Sequence, residues 1–162
     1  MDYMSFTGVV TGIEQYDSGA YGGVSSCMTR YTLESEDGQI VKFTSDASTY
    51  FANNEQVFKG DTITAYYDAN APVILIYPPQ YQALIIIKRG TDYFTTFSYF
   101  NAQLISADGM LKLNMSPETE VVTQNNQPYT GPIQNHYLIV LYGASTRSIP
   151  AQTNPIKVIV LC

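Results

Sequence analysis

Apolar and polar residues alternate along this chain in short runs broken by turn residues, a pattern of strands rather than helices. The same order of runs occurs twice. An Asp-Gly pair opens each copy, Asp37-Gly38 in one and Asp108-Gly109 in the other. Next comes Ile40-Val41-Lys42-Phe43, matched by Met110-Leu111-Lys112-Leu113. An alternating run then ends in tyrosine, Ile63 to Tyr67 against Leu138 to Tyr142. A Pro-rich loop leads to a final apolar run, Ala83 to Ile87 against Val158 to Cys162. The expectation is a duplicated β unit, with units at 1–90 and 91–162 and a boundary near Arg89-Gly90-Thr91-Asp92.

In the first half the pattern predicts strands at 6–13, 27–35, 39–45, 62–67 and 83–88. Gly8 and Gly12 suggest a bulge or strong curvature in the first of them. Asp46 to Phe51 reads as one helical turn with Asp46 or Ser48 as cap. Pro72, Pro78 and Pro79 argue against regular pairing in the loop 68–82. In the second half, 93–106 reads as one bent strand or two, 110–115 as a strand, and Ser116-Pro117 as a short helical start. Strands at 137–142 and 156–161 complete it. Five strands with a short helical element between the third and fourth is the OB-fold pattern. The expected fold class is therefore all-β, with two tandem OB-like five-stranded Greek-key barrel units, the second compressed at its start. A single β-sandwich is the alternative.

Composition agrees with sheet. Apolar residues make up 45% of the chain, enough for a packed core, and 14 tyrosines with no tryptophan suit a pleated, half-buried surface. The net charge of −6 is uneven, with five basic against ten acidic side chains in 1–90 and three against four in 91–162. Nucleic-acid binding by counterion release needs clustered Lys and Arg, and Lys88-Arg89 is the sole adjacent basic pair, so that class is disfavoured. Cys27 and Cys162 form no Cys-x-x-Cys motif and read as two thiols, with a single bridge as the alternative. Apolar runs such as Ala83 to Ile87 are far shorter than a membrane-spanning helix. The first residues carry neither a basic nor an apolar leader region, so the expected location is cytoplasmic, or the cell surface if the chain is a fragment.

Candidate chemistry narrows the picture by exclusion. His136 is the single histidine and has no second ligand at metal-binding spacing, so no metal site is expected. No Gly-x-Ser-x-Gly or catalytic-cysteine motif is present, and no catalytic residue or cofactor is assigned. Glu34, Glu36 and Asp37 flank a turn, and Glu118 and Glu120 follow Pro117; both groups read as solvated or helix-start charge. The two Pro-rich loops are different. Tyr77 and Tyr81 surround Pro78-Pro79, and Arg147 and Gln152 occupy similar places around Pro150. With Tyr16 and Tyr21 of the first loop, these six are the candidate ligand-binding residues. Prolines limit the entropy lost on binding, and tyrosines give contact area at low entropic cost.

Three segments carry a family resemblance: Tyr66-Tyr67-Asp68-Ala69-Asn70-Ala71-Pro72, Ile76-Tyr77-Pro78-Pro79-Gln80-Tyr81 and Tyr142 to Thr153. Through them the chain resembles a bacterial region of unknown function found beside copper-amine-oxidase-N-terminal-like, or stalk, domains in exported proteins. That resemblance implies no activity, cofactor or catalytic residue. The functional expectation is a non-enzymatic binding or interaction module. Its partner would be a protein, a second copy through self-association, or a neutral polymer such as a glycan. A carboxylate-based enzyme and a weak OB-type oligonucleotide binder are the alternatives.

Overall fold

A computed structural model describes residues 1–16 and 27–162. The chain is all-β and divides into two compact units, Met1–Arg89 and Gly90–Cys162.

In the first unit the strands are β1 (Tyr3–Tyr16), β2 (Met28–Glu34), β3 (Ile40–Ser45), β4 (Tyr50–Phe51), β5 (Thr62–Asp68), β6 (Gln80–Gln82) and β7 (Ile85–Lys88). They form one sheet in the order β4-β7-β5-β1-β2-β3-β6. β1 is long enough to serve two partners. Its first half pairs antiparallel with β5 from Tyr3 to Val9, and its second half with β2 from Val9 to Tyr16. The register shifts between Val10 and Gly12 on the β2 side, the bulge that the glycines suggested. Gly8 is needed for space. A Cβ there would lie 2.8 Å from the Glu34 carbonyl oxygen, so only a residue without a side chain lets these backbones approach.

In the second unit the strands are β8 (Phe94–Phe100), β9 (Leu111–Leu113), β10 (Glu120–Thr123), β11 (His136–Tyr142), β12 (Ala151–Thr153) and β13 (Lys157–Leu161). They form a four-stranded sheet, β10-β13-β11-β8, and a two-stranded one, β12-β9.

The all-β expectation holds, but two five-stranded OB-like barrels are not what forms, nor a single sandwich. The parallel pairs show why. β3 and β4 run beside β6 and β7, and β9 and β10 run beside β12 and β13, every pair parallel. A later pass of the chain is laid along an earlier one, strand for strand and corner for corner. That is coil-on-coil stacking of the β-solenoid kind, with an antiparallel meander added in the first unit. The barrel reading rested on taking the Pro-rich loops as unpaired. Pro lacks an N–H but keeps its carbonyl. Pro79 uses it, accepting the Lys42 N–H at 2.9 Å, and β6 then pairs with β3 directly.

The expected helical elements are corners instead. At Asp46 the carboxylate accepts the Ser48 N–H (2.8 Å), as a cap would, but one turn later the chain enters β4. Thr49 fixes this corner by donating its hydroxyl to the Ala83 carbonyl at 2.8 Å. Thr119 does the same to the Pro155 carbonyl at 2.7 Å. The Tyr50 N–H then bonds Leu84 (2.9 Å), and the Glu120 N–H bonds Ile156 (3.1 Å).

These bonds define equivalent positions in the two units. Leu84 donates to Tyr66 and Ile156 donates to Leu141, each at 2.8 Å, so Tyr67 corresponds to Tyr142. The final apolar runs therefore align with Ala83 opposite Pro155, not opposite Val158. Both units also place a cis proline before the returning strand, at Tyr77-Pro78 and Ile149-Pro150. Counted back from Leu84 and Ile156, Tyr77 corresponds to Ile149 and Tyr81 to Thr153, in register with the parallel pairs β3–β6 and β9–β12. Through their pairing with β5 and β11, Phe6 corresponds to Thr96 and Gly8 to Ser98.

Each unit has its own core, built by alternation along strands such as β3 and β5 and by strands buried on successive residues, β7, β11 and β13. Leu33, Phe43, Ile63 and Ala65 are fully buried in the first. Phe100, Leu138, Val140, Val158 and Val160 are fully buried in the second.

Candidate functional site

The Asp-Gly turns set the edge of the site. Gly38 and Gly109 both adopt positive φ, +86° and +73°, where a side chain would be strained. Their N–H groups close the turn on the carbonyls of Ser35 (3.0 Å) and Ser106 (2.8 Å). The serine hydroxyl two residues before each aspartate donates to its carboxylate, Ser35 to Asp37 and Ser106 to Asp108. The same hydroxyls accept the N–H of Gln39 (3.1 Å) and Leu111 (3.0 Å). Ser35 above all, then backbone N–H groups, hold the Asp37 carboxyl below its ordinary range. It is therefore an anion at neutral pH, in a fixed conformer.

Beside this turn lies a groove of about 500 Å³, lined by Phe6, Asp37, Gln39, Ile40, Tyr67, Tyr77, Pro79 and Tyr81 among others. Alternation along β5 places Tyr67 on the face of Ile63 and Ala65, at the open end of the core. Tyr67 and Tyr81 stack at 4.1 Å between ring centres with their planes 21° apart. Both rest on Phe43, at 5.7 and 5.8 Å, and Phe43 in turn meets Phe6 at 6.2 Å. Burial, and then the neighbouring Tyr81, push the Tyr67 hydroxyl above its ordinary value, so it stays a neutral hydrogen-bond donor. Tyr77 forms the outer rim and is 81% exposed. It ends an exposed apolar run, Val73-Ile74-Leu75-Ile76-Tyr77, in which Leu75 is 95% exposed.

Of the six candidate residues, the structure brings Tyr77 and Tyr81 together in this groove. Tyr16 closes β1 and nothing further is described of its side chain; Tyr21 lies outside the described residues. Arg147 and Gln152 belong to the second unit. Arg147 is exposed, and Gln152 accepts a hydrogen bond from the Asn114 amide at 3.1 Å. Phe6, Tyr67 and Gln39 join the site without having been singled out, and so does Asp37, which the sequence reads as solvated turn charge. The period-two register that puts Tyr67 with Ile63 and Ala65 was the available signal for one of them.

The equivalent hollow of the second unit holds about 290 Å³ and is lined by Thr96, Phe97, Ser106, Asp108, Tyr142 and Ala151 among others. It keeps the turn aspartate and the β-strand tyrosine. Neither Ile149 nor Thr153 lines it. Thr153 is buried and donates its hydroxyl to the Ala144 carbonyl at 2.7 Å.

A second cleft in the first unit, about 570 Å³, brings Glu34, Glu36, Asp37 and Arg89 to one surface. Glu34 and Glu36 are exposed, and Asp37 is engaged by Ser35. His136 ring nitrogen Nδ1 meets the Gln134 carbonyl at 2.8 Å, and among the described residues no three His, Cys, Asp or Glu side chains gather as a metal site. Cys27 and Cys162 are both exposed and not bridged. No helix among the described residues is long and apolar enough to cross a membrane.

The chain matches no protein-family model, no curated protein and no solved structure. Its functional reading therefore rests on the geometry of the groove.

Proposed function

We propose that this protein is a non-enzymatic binding module, and that the groove of the first unit is its ligand site. The carrying observation is the stacked Tyr67–Tyr81 pair opening onto a groove rimmed by the exposed Tyr77. Aromatic rings supply large contact area with few torsions to freeze, and Pro79 in the wall limits the loop's freedom before binding. The groove is open along the turn, so it suits an extended segment of a partner protein or of a second copy. A neutral polymer such as a glycan is the second reading, favoured by the same rings but using Asp37 and Gln39 as hydrogen-bond partners.

The test is selection from a display library of random octapeptides alongside titration with soluble neutral glycans, each repeated on Tyr81→Ala. Peptides that bind the native chain and lose at least about tenfold affinity in the variant support the reading, in line with removal of a central aromatic anchor. Saturable glycan binding with the same loss favours the second reading. Absence of both overturns the assignment of the groove.

A further inference from the structure

Three of the four rings, Phe6, Tyr77 and Tyr81, are not there because the frame demands them; the fourth, Tyr67, has a tyrosine counterpart in Tyr142. The second unit builds the same Ser-x-Asp-Gly turn, the same corner and the same parallel strands with Thr96, Ile149 and Thr153 at the positions of Phe6, Tyr77 and Tyr81. Packing of the fold is thus compatible with residues that carry no π-system. Phe6, Tyr67 and Tyr81 pack on Phe43, yet the frame can be built without three of the groove rings, which leaves the aromatic set open to a role in binding as well as packing.

Two properties of the groove point the same way. Aromatic faces are the negative part of the ring quadrupole and attract cations. Asp37 adds a full negative charge at one edge, pinned there by Ser35. Among the described residues that line the groove, none is basic, so this charge is not neutralised from within. A neutral sugar would gain from the rings and from hydrogen bonds to Asp37 and Gln39 but not from the charge itself, and an acidic peptide would be repelled by Asp37. A cationic group that also presents an apolar surface gains from both. The chain's charge of −6 adds a long-range attraction for such a ligand.

We infer that the groove formed by Phe6, Tyr67, Tyr77, Tyr81 and Asp37 is a receptor for an organic cation, an alkylammonium or guanidinium group, and that the second unit lacks this capacity. The inference rests on the binding-module reading of the same groove and names its ligand chemistry. Such a cation has two sources, a small free amine or the side chain of a basic residue in a partner segment.

The experiment is a titration of the full chain followed by tyrosine ring signals in NMR. The probes are choline, its neutral isostere 3,3-dimethylbutan-1-ol, and the short peptides acetyl-Gly-Lys-Gly-amide and acetyl-Gly-Arg-Gly-amide with a Gly-Gln-Gly control. The expected result is saturable shifts at the groove tyrosines with the cations and not with their neutral counterparts. Tighter binding of choline assigns a free amine, and tighter binding of the peptides assigns a partner's basic side chain. Tyr77→Ile installs the residue of the second unit at an exposed position, and Asp37→Asn removes the charge without changing shape. Each is expected to weaken cation binding about fivefold, the scale of one cation–π contact or one exposed charge. Equal binding of choline and its isostere, or full binding by both variants, overturns the inference. Groove shifts with glycans or neutral peptides but not with cations overturn it while leaving the binding module intact. No shift with any probe removes both.

Discussion

Phe6, Tyr77 and Tyr81 in the first unit stand where the second has Thr96, Ile149 and Thr153, on frames that share turn, corner and parallel strands. The hydrogen bonds that set the corners are repeated almost atom for atom. Three of the side chains that face the groove are not, while the turn aspartate and the β-strand tyrosine are kept. Thr49 and Thr119 tie equivalent corners at 2.8 and 2.7 Å, whereas a ring that stacks at 4.1 Å in one unit is replaced by a buried hydroxyl in the other. Conserved local geometry with divergent surface chemistry separates scaffold from site within a single molecule, without reference to any other protein.

The sharpest way to probe that comparison is the residue beneath the groove. Phe43 is fully buried and supports three other rings, and its counterpart Leu113 is 2% exposed. Phe43→Ala should cost about 4 kcal/mol and Leu113→Ala about 3 kcal/mol in urea unfolding. A much smaller loss at Phe43 would mean that the aromatic cluster is not part of the core. Next comes Gly8. The second unit tolerates Ser98 at the equivalent position, yet Gly8→Ser places a Cβ against the Glu34 backbone and should cost about 2 kcal/mol. An unchanged melting temperature would show that the two frames are looser, and more alike, than their strand spacing indicates.

The corner threonines test sameness rather than difference. Thr49→Ala and Thr119→Ala should each cost about 1 kcal/mol, the net value of one hydroxyl-to-carbonyl bond, and by nearly equal amounts. Losses that differ severalfold would break the equivalence of the corners. The smallest effect concerns acid. The Ser106 hydroxyl, then the Met110 N–H, hold the Asp108 carboxyl below the ordinary value of 3.8. A lowered folded-state pKa means that the stabilisation is present above 3.8 and is lost as pH falls through the folded value. Thermal melts below that pH should drop slightly less steeply for Asp108→Asn than for the native chain. The group is largely exposed, so screening keeps the difference small. Identical acid limbs would show that the turn gains nothing from the charge.

The duplication and its turns were legible because Asp-Gly pairs and alternating runs report local geometry directly. The alignment of the last strands was displaced by three residues because Ala83 to Ile87 and Val158 to Cys162 are both uniformly apolar and offer no phase. β6 and β12 are hidden behind the prolines that precede them, and the pairing of β6 begins on the Pro79 carbonyl, which no propensity describes. The corners at Asp46 and Ser116 look like helix caps because the same side-chain bonds start a helix; Thr49 and Thr119 divert the chain by bonding the matching corner of a later pass. Tyr77 and Tyr81 were visible as candidates from the Pro-rich loop. Phe6 and Asp37 were not, since only the pairing of β1 with β5 and of β3 with β6 sets them beside the same groove.

The run from Val73 to Tyr77 has a consequence for how the molecule breaks. Leu75 is almost wholly exposed between two strands, while Pro78 follows Tyr77 and shields that bond from chymotrypsin-like cutting. A protease that prefers large apolar residues should therefore nick the chain first after Leu75. The two fragments would stay together under native conditions, because β5–β7, β3–β6 and β4–β7 hydrogen bonds all bridge the cut. They would part only in denaturant, making the first unit a natural two-piece complementation system with its aromatic groove divided between the pieces.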